Sequence, residues 1–356
     1  MKIICFYLPQ FHRILENDQW RGTGFTDWTS VKQAKPLFSG HIQPRLPMDQ
    51  NFYDLTQVAV LKKQAEMAGE YGIYGFCMYH YWFCGKKLLQ RPAELWLVHE
   101  EIDFPFCFSW ANENWTKSWE VSDKHEILIE QTYGDEMEWK QHFEYLLPFF
   151  RDKRYIRVNG KPLFVIYRPE QIPNLRDRLA YWENLAWENG FSGIAFAAQQ
   201  CDFRIDTEPG GECFTYQIEY QPAYLRKTLS TYGFLKSDVK CVDYKKACEE
   251  LLQFFPVSKC SVPGAFVNWD NTPRKGKNGT VFLDPSPQIF GECLRKQLLR
   301  TKRVYHQDML FLFAWNEWAE GGYLEPDEIS CYEYLEAVAS ALKACDRELG
   351  SRSEMI

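Results

Sequence analysis

Several features are scarce or missing in this sequence, and each absence excludes a class of protein. No apolar stretch approaches the length of about 18 residues that a membrane-spanning helix needs. Lysine and arginine total 41 against 48 aspartate and glutamate residues, a formal net charge of −7. Such an acidic chain repels the phosphate backbone of nucleic acids. We therefore expect no membrane span and no nucleic-acid partner, while the oligomeric state stays open.

Motifs that hold phosphate groups or metal ions are also missing. We find no Gly-x-Gly-x-x-Gly after a strand, no Walker loop and no Asp-x-Asp step for the metal of a nucleotide sugar. The twelve cysteines are scattered, without a Cys-x-x-Cys pair. His12, His80 and Glu113 do not have the close spacing of a metal motif. We expect neither a metal nor another cofactor.

The N-terminal segment gives no sign of export. Met1–Pro9 lacks the long apolar region and small-residue cleavage site of a signal peptide, and it predicts a strand instead. Cys5, Cys77 and Cys107 lie in apolar runs that predict buried strands, and buried free thiols are common in reducing compartments. We predict a cytoplasmic protein; the alternative is a trimmed secreted form with disulfides.

Aromatic residues, by contrast, are abundant. They make up 17% of the 356 residues, with 13 Trp, 20 Tyr and 26 Phe, and hydrophobic residues make up 46%. This composition excludes a disordered, coiled-coil or collagen-like chain and predicts a large core. It also leaves aromatics over for a site that binds flat, partly apolar ligands.

Short, continuous apolar runs recur along the chain and are typical of strands buried on both faces of a parallel sheet. Eight are predicted, of which the sixth has the weakest pattern: Ile3–Leu8, Ile73–Tyr79, Phe104–Trp110, Pro162–Tyr167, Gly193–Ala198, Cys213–Gln217, Ala265–Asn268 and Met309–Trp315. Helical patterns follow most of them: Gln57–Tyr71, Lys86–His99, Asp135–Phe150, Pro173–Asn189, Tyr244–Phe255, Gln288–Tyr305 and Asp327–Leu349.

This alternation predicts an α/β protein with a (β/α)₈ barrel. The length alone allows two ordinary domains or one large barrel, but no Gly-, Ser- or Pro-rich linker divides the chain. We therefore expect residues 1–356 to form one catalytic domain. Phe11–Asp54, after the first strand, predicts an ordered insertion over the barrel mouth.

Chemistry in such a barrel belongs at the carboxyl ends of the strands. Aromatic, amide and carboxylate side chains crowd these predicted ends, and they suit the C–H faces and hydroxyls of a sugar. The candidates for substrate binding are Tyr7, His80, Tyr81, Trp82, Asn112, Glu113, Trp115, Tyr167, Arg168, Asn268, Trp269 and Asn316. Asp202, Glu219 and Asp270 follow other strands.

Glu317 and Glu320 are the candidate catalytic pair, because cleavage of a glycosidic bond usually needs two carboxyl groups. They are three residues apart just past the last strand, and Trp315 and Trp318 beside them would raise the pKa of one carboxyl. The simpler alternative is that both only cap a helix or form ion pairs. A rival pair is Glu113 with Glu317.

Other candidates have equally plain structural roles. His80 is either a structural histidine or a contact for a sugar hydroxyl. Trp115 and Trp269 are better candidates for sugar platforms than Trp110, which we expect to pack inside. Arg168 could pair with Glu317, Glu320 or an anionic sugar, or form a salt bridge at the rim. Arg274–Gly279 is basic and predicts a solvated turn rather than a contact for an acidic glycan.

The chain resembles the WbsX-type proteins, a family named for glycosyltransferases of polysaccharide clusters. Nearly the whole sequence carries the resemblance, through the motifs Phe6–His12, Glu16–Trp20, Gly24–Trp28, Lys35–Phe38, Tyr79–Phe83, Trp110–Thr116, Gly160–Phe164 and Trp315–Gly321. That family is in turn similar to the endo-α-mannosidases of glycoside hydrolase family 99. The match to them is thinner and rests on the barrel, Tyr7 and the Asn-Glu-Trp-x-Glu-Gly segment.

The second resemblance implies roles for the two glutamates. Glu317 would take the proton of the sugar 2-hydroxyl, whose oxygen attacks the anomeric carbon and gives a 1,2-anhydro sugar. Glu320 would act as acid and then as base, with net retention. Ala319 departs from the histidine of the endomannosidases, which puts the sugar identity in doubt.

We thus expect a retaining glycoside hydrolase that acts on an α-linked, mannoside-like glycan or bacterial polysaccharide. The first alternative is a glycosyltransferase or transglycosylase of surface-polysaccharide (O-antigen or capsule) assembly, which the missing nucleotide motif opposes. The second is a barrel that binds glycans without cleaving them, which the presence of both Glu317 and Glu320 opposes. Linkage and endo or exo action stay open.

Overall fold

A computed structural model describes residues 1–116, 126–201, 210–229 and 233–353. Asp202, named above after the fifth predicted strand, lies outside these residues. In the described part, no helix is both long and apolar enough to cross a membrane. The same residues contain no group of three His, Cys, Asp or Glu side chains placed to hold a metal ion.

Strands and helices alternate along the chain. The strands are β1 (Lys2–Tyr7), β2 (Gly75–Phe83), β3 (Lys86–Leu88), β4 (Phe106–Trp110), β5 (Trp115–Thr116), β6 (Ile127–Ile129), β7 (Arg157–Val158), β8 (Lys161–Ile166), β9 (Ala195–Gln200), β10 (Tyr216–Glu219), β11 (Phe234–Lys236), β12 (Val239–Asp243), β13 (Ser261–Val262), β14 (Gly264–Phe266), β15 (Thr280–Leu283), β16 (Met309–Phe313), β17 (Asn316–Glu317) and β18 (Gly322–Tyr323).

The helices are α1 (Leu15–Arg21), α2 (Asp27–Gln33), α3 (Val58–Glu70), α4 (Arg91–Val98), α5 (Glu136–Arg151), α6 (Leu175–Glu188), α7 (Arg226–Leu229), α8 (Tyr244–Leu251), α9 (Thr272–Lys275), α10 (Pro287–Arg303) and α11 (Glu333–Ser353). Short 3₁₀ helices cover Met48–Gln50, Pro169–Gln171, Gly211–Cys213, Gly276–Asn278 and Trp318–Glu320.

The predicted barrel is confirmed. Parallel strands pair in the order β13-β10-β9-β8-β4-β2-β1-β16-β14. The seventh barrel position is shared, since β13 pairs with β10 and β14 pairs with β16. Pro263, which lacks an amide hydrogen, separates the two short strands, while its carbonyl accepts a 3.2 Å bond from the Phe311 amide.

Three predicted elements begin clearly later than expected, among them the last helix, which was predicted from Asp327 but begins at Glu333. The sixth strand was expected at Cys213–Gln217 but runs from Tyr216 to Glu219, because Gly210 has a positive φ of 89° and starts a 3₁₀ turn over Gly211–Cys213. The helix expected from Lys86 begins at Arg91, because Lys86–Leu88 pairs as β3 with β2.

The core fills the barrel and the layer between strands and helices. Barrel strands are buried along nearly their full length, and Cys5, Cys77 and Cys107 are fully buried on three of them. Phenylalanines 76, 106 and 108 are also among the largest fully buried side chains. This placement explains the continuous apolar runs, because both faces of each strand meet other side chains.

The insertion after β1 is ordered and packs on the segment that follows β16. The Trp28 ring in α2 lies 5.5 Å from the Trp318 ring, and the Trp28 indole nitrogen donates to the Tyr53 carbonyl at 2.9 Å. Asp270, past β14, bonds the side chains of His41 and Gln43 at 2.9 and 2.7 Å. These contacts fix the insertion beside the carboxyl end of the barrel.

A small second sheet extends the same end of the molecule. In it β11 pairs antiparallel with β12, and β12 pairs parallel with β15. The Phe282 amide donates to the Trp269 carbonyl at 2.8 Å, which ties this sheet to the loop after β14. That residues 1–356 form one domain remains a prediction.

Candidate active site

Glu317 and Glu320 lie in a tight hairpin turn after the last barrel strand. β17 pairs antiparallel with β18, so Glu317 faces Gly322 across the hairpin. Trp318–Glu320 forms a 3₁₀ turn that ends at Gly321, whose φ is 67°. A Cβ on Gly321 would lie 2.8 Å from the Asp270 amide nitrogen. Glycine is therefore required here on both counts, and it brings the turn against the loop after β14.

Both carboxylates bind one arginine. Nη1 of Arg274 donates to Glu320 Oε1 at 2.8 Å, and Nη2 lies 3.4 Å from Glu317 Oε2. Nη2 also lies 3.1 Å from each carboxylate oxygen of Asp27, which starts α2 in the insertion. The arginine, Asp27 and Glu317 side chains are about 95% buried, whereas the Glu320 side chain is 20% exposed. Three carboxyl groups thus share one buried cation.

This crowding changes the acidity of Glu317. Burial, followed by the charge of Glu320, raises its pKa well above the usual range, and Arg274 opposes this rise. Like-charged carboxyls this close rarely ionise together without cost. The arrangement therefore favours a state in which the pair holds one proton, as an acid and a base working together require. The expectation that one carboxyl pKa is raised agrees with this geometry.

Beside the pair lies a cavity of about 180 Å³, here called the carboxylate cavity. It is defined by Leu8, Tyr79, Tyr81, Ala111, Glu113, Asn114, Trp115, Tyr167, Tyr220, Ala223, Trp269, Asn271, Arg274, Lys275, Glu317 and Glu320. Aromatic walls therefore surround charged and amide groups, the combination that binds sugars.

The structure brings five of the predicted substrate-binding residues to this cavity: Tyr81, Glu113, Trp115, Tyr167 and Trp269. The Trp115 ring packs edge-on against Tyr81 at 5.1 Å, and the Trp269 ring packs on Phe313 at 5.5 Å. Both tryptophans are held in place from behind, so each can offer a fixed face to a ligand.

Other predicted residues lie away from it and have structural partners. Tyr7 is buried, and its hydroxyl donates to Gln64 at 2.7 Å. His80 lies 2.8 Å from His142, nitrogen to nitrogen, and burial with the nearby Lys87 charge lowers its pKa to about 3. Trp82 stacks on His142 and donates to Glu138 at 2.8 Å. These three side chains do not line the carboxylate cavity.

Three predicted asparagines are fully or nearly buried and do not line the carboxylate cavity. Asn316 accepts from the Leu8 amide at 2.7 Å and donates to the Leu8 carbonyl at 3.0 Å, which fastens the active turn to β1. Asn112 bonds the backbone of Arg168 in the same two-sided way, at 2.8 Å each. Asn268 is 3% exposed, and neither polar atom of its side-chain amide has a hydrogen-bond partner among the described residues.

One alternative for Arg168 agrees with the structure, while the solvated turn expected from Arg274 is wrong. Arg168 binds Glu113 at 2.6 Å rather than Glu317 or Glu320, so the alternative of a salt bridge at the rim applies. Arg274 is not part of a solvated turn, because it is 5% exposed and holds the carboxylates. The basic run suggested exposure, yet only Lys275, Lys277 and Asn278 in it are exposed.

The candidates for substrate binding also left out Asp27, Tyr79 and Tyr220. The Tyr79 and Tyr220 hydroxyls lie 2.9 Å apart and line the cavity. Tyr79 ends a predicted strand and Tyr220 follows another, so the strand-end rule could have selected both. Asp27 gave no comparable signal, since its position depends on how the insertion folds.

A fourth carboxyl group lies behind the same turn. Glu325 accepts hydrogen bonds from Tyr53 at 2.7 Å, Gln64 at 2.6 Å and the Trp318 indole at 2.7 Å. It is 8% exposed, and burial raises its pKa to about 7 despite these donors. Because Trp318 stands between Glu317 and Glu320 in the chain, this network anchors the turn from its far side.

Comparisons with known proteins agree with this architecture. The family model described as Glycosyltransferase WbsX matches residues 3–338. The WxcX proteins of two strains of Xanthomonas campestris pv. campestris, described as uncharacterized, are 37% identical over 352 residues. The match covers 96% of this chain and 49% of theirs, so the chain spans about half the length of these curated relatives.

Two solved structures are similar over nearly the whole chain. The GH99 endo-α-mannosidase from Bacteroides thetaiotaomicron superposes with a TM-score of 0.59 at 14% identity, covering 99% of this chain and 98% of that one. A glycoside hydrolase-like protein superposes with a TM-score of 0.61 at 11% identity, covering 96% and 93%. At these identities the likeness establishes the fold alone.

Proposed function

The chain belongs to the family described as Glycosyltransferase WbsX, and from this membership and the site we propose that it cleaves glycosidic bonds. The proposed substrate is an α-linked, mannoside-like oligosaccharide or polysaccharide. The observation that carries the proposal is the pair Glu317 and Glu320, which share Arg274 at the wall of an aromatic cavity.

In the proposed reaction, Glu317 takes the proton of the sugar 2-hydroxyl while that oxygen bonds to the anomeric carbon. Glu320 gives its proton to the departing glycosidic oxygen, so a 1,2-anhydro sugar forms as the old bond breaks. Glu320 then takes a proton from water, whose oxygen opens the anhydro ring, and Glu317 returns its proton to the 2-oxygen. Two inversions at one carbon give net retention.

The local chemistry supports this assignment of roles. Burial and the Glu320 charge raise the pKa of Glu317, so its carboxylate form is a strong base toward a weakly acidic hydroxyl, while Arg274 opposes the rise and favours the ionised form that the reaction requires. Glu320 is the more exposed of the two, at 20% of its side chain, which suits a group that must meet both a leaving oxygen and water. Arg274 offsets the charge that both carry in turn.

Mutation of the pair tests the proposal. Incubation with a panel of bacterial surface polysaccharides, with products measured by mass, identifies a cleaved substrate. On it, Glu317→Gln and Glu320→Gln should each lower turnover by several orders of magnitude with an unchanged melting curve. Glu328→Gln, an exposed glutamate a few residues away, is the matched control. Near-normal turnover in both site variants would refute the proposal.

Glu113 is the rival for the acid, because it also lines the cavity. A general acid matters less when the leaving group needs no proton, so its loss is tolerated better on an activated aryl glycoside. If Glu320 is the acid, the Glu320→Gln variant should therefore recover much of its turnover on the activated aryl glycoside. The Glu113→Gln variant should keep the same fraction of wild-type turnover on the aryl glycoside and on the natural glycan. The opposite pattern assigns the acid to Glu113.

The family description favours a second candidate, a glycosyltransferase of surface-polysaccharide assembly. Such an enzyme binds a nucleoside diphosphate, which would raise the melting temperature of the protein. A thermal-shift screen with nucleoside diphosphates, with and without divalent metals, separates the two functions. Strong stabilisation by one nucleotide supports transfer; glycan binding with no cleavage after long incubation supports a binding protein instead.

A further inference from the structure

The small sheet beside the barrel mouth presents one face to a second cavity. In its parallel pair, Lys240 of β12 lies opposite Thr280 of β15, and Val242 lies opposite Phe282. Alternate residues of a strand share a face, so these four side chains lie on the same side of the sheet. All four line a cavity of about 170 Å³.

The other face of this sheet is covered. Val239, Cys241 and Val281 are buried there in a small apolar cluster with Phe38 from the insertion after β1. The Lys236 ammonium lies over the Phe38 ring at 4.8 Å. The sheet is therefore fixed in place from behind, and the face that carries Lys240 is a stable wall.

The second cavity, here called the lysine pocket, is defined by Pro222, Leu229, Lys240, Val242, Trp269, Asn271, Lys275, Asn278, Thr280 and Phe282. It shares Trp269, Asn271 and Lys275 with the carboxylate cavity, so the two form neighbouring parts of one groove. A chain of sugars that passes the Trp269 ring would enter both.

The two parts differ in charge. The carboxylate cavity carries three glutamates, Glu113, Glu317 and Glu320, with Arg274 and the shared Lys275, whereas the described residues of the lysine pocket include two lysines and no acidic side chain. Among the residues that the structure describes, no carboxylate forms an ion pair with Lys240 or Lys275. An overall acidic protein thus keeps two uncompensated cations beside its candidate active site.

Neighbouring cations differ in this respect. Arg274 is held by Asp27, Glu317 and Glu320, and Lys277 lies 3.3 Å from Asp238. Lys275, between them in the sequence, has no such partner and turns to the groove. Two lysines with amide groups from Asn271 and Asn278 make a set of donors that fits an oxyanion.

We propose that the lysine pocket binds an anionic substituent of the glycan, specifically the carboxylate of an acidic sugar next to the bond that is cleaved. This inference rests on the proposed function for the location of that bond. It narrows the substrate class from α-linked glycans to acidic ones. The contribution of Lys240 and Lys275 is to binding and register, and the chemistry stays with Glu317 and Glu320.

A binding experiment tests this without any need for turnover. The probes are a hexuronate oligosaccharide and the same oligosaccharide with its carboxyls reduced to alcohols, titrated calorimetrically at low salt. The wild-type chain should bind the acidic form more tightly. Lys240→Gln and Lys275→Gln should each weaken that binding about fivefold, as for a single partly exposed ion pair. Lys277→Gln, an exposed lysine on the same loop, is the matched control and should bind like wild type.

The reduced oligosaccharide completes the test. Its affinity should be the same in wild type and in both lysine variants, because it has no charge for the lysines to meet. Equal binding of acidic and reduced forms, or lysine variants that bind like wild type, overturns the inference. Uridine diphosphate is a third probe and tests the transferase alternative. If the lysine variants lose its binding while hexuronate binding is unaffected, the inference of a carboxylate site is also overturned.

This test separates the inference from the proposed function. Lysine-dependent binding of hexuronate without cleavage of any acidic glycan would support the proposed role of the lysine pocket and refute the proposed hydrolase function. Cleavage of a neutral glycan that depends on Glu317 but not on Lys240 or Lys275 would do the reverse. Circular dichroism and melting curves of each variant show that the fold is intact, so a loss of binding is not a loss of structure.

Discussion

Two buried carboxyl clusters lie on opposite sides of Trp318, and they are built in different ways. On one side, Glu317 and Glu320 share Arg274 with Asp27 and face the carboxylate cavity. On the other, Glu325 is surrounded by the neutral donors Tyr53, Gln64 and Trp318. One cluster has an excess of negative charge around a cation, and the other has a single charge met by hydrogen bonds.

This difference distinguishes the proposed catalytic pair, Glu317 and Glu320, from Glu325, which holds the turn in position. A carboxyl with three neutral donors has its acceptor sites filled, so its protonation changes stability more than chemistry. Carboxyls crowded around one guanidinium retain unsatisfied charge, which a substrate proton can relieve. Burial raises the pKa of both Glu317 and Glu325, so a raised pKa alone does not distinguish them. The partners do.

Removing the positive charge of Arg274 should have the largest effect on stability and turnover. Arg274→Gln leaves Asp27, Glu317 and Glu320 buried together without a positive charge, and breaking a buried ion pair costs about 3–5 kcal/mol. We expect that loss in the free energy of unfolding at pH 7, measured by urea denaturation, with at least a hundredfold fall in turnover. The stability loss should shrink as the pH falls, because the pKa of Glu317 is raised and its protonation relieves the repulsion.

Arg274→Lys is the control for charge. It keeps a cation but loses the two-armed geometry, so its stability should fall between wild type and Arg274→Gln. Equal stability of all three proteins at pH 7 would mean that the cluster is not held by Arg274, and the comparison between the two sides of Trp318 would fail.

The Glu325 side should show its effect in pH dependence. Its pKa is about 7 in the folded chain against 4.5 for an ordinary glutamate. The folded state therefore holds the proton more tightly, so the stability that this group contributes is complete below pH 4.5 and is lost as pH rises toward 7. The loss amounts to about 3 kcal/mol by linkage.

Glu325→Gln removes this titration. The difference in unfolding free energy between wild type and variant should change by that amount between pH 4.5 and 7, in the direction that disfavours wild type at the higher pH. Any constant offset from the amide does not affect this slope. Parallel stability curves for the two proteins would show that Glu325 does not titrate in this range.

The smallest effect on stability should come from removing one hydrogen-bond donor to Glu325. Tyr53→Phe removes the hydroxyl that bonds Glu325 at 2.7 Å, and a hydrogen bond to a charged group contributes about 2 kcal/mol. The loss of unfolding free energy should be greater at pH 8 than at pH 5, because the ionised carboxyl needs the donor more. Tyr71→Phe, at the carboxyl end of α3, is the control. Equal losses of unfolding free energy in both variants would contradict a specific stabilising role for the hydrogen bonds to Glu325.

Much of the fold could be predicted from the sequence because continuous apolar strands and amphipathic helices leave strong local patterns. The first five strands and the last were placed within a few residues. The sixth strand and the split seventh strand were harder, because Gly210 and Pro263 change the backbone at single positions. Such changes depend on contacts with neighbouring strands rather than on periodicity.

The candidate site was predicted only in part. Glu317 and Glu320 follow a strand in a recognisable motif, and the aromatic residues follow other strand ends. Arg274 was misjudged because composition indicates exposure for a basic run, whereas its burial depends on Asp27 from a distant insertion. Asn112 and Asn316 were assigned to substrate, since a sequence does not reveal that a backbone segment already uses an amide side chain.

The fastening of Asn316 to Leu8 has a consequence for how the protein is made. The two residues are 308 positions apart, and Arg274 is 247 positions from Asp27. Contacts of such high sequence separation form late and slow the search for the native state. A chain emerging from the ribosome can build the early strands but cannot pair β1 with the last barrel strand before Phe313, nor complete its charge cluster before Glu320. Assembly of the carboxylate site should therefore require that the hairpin has been synthesised, and chains that terminate before it should lack the site.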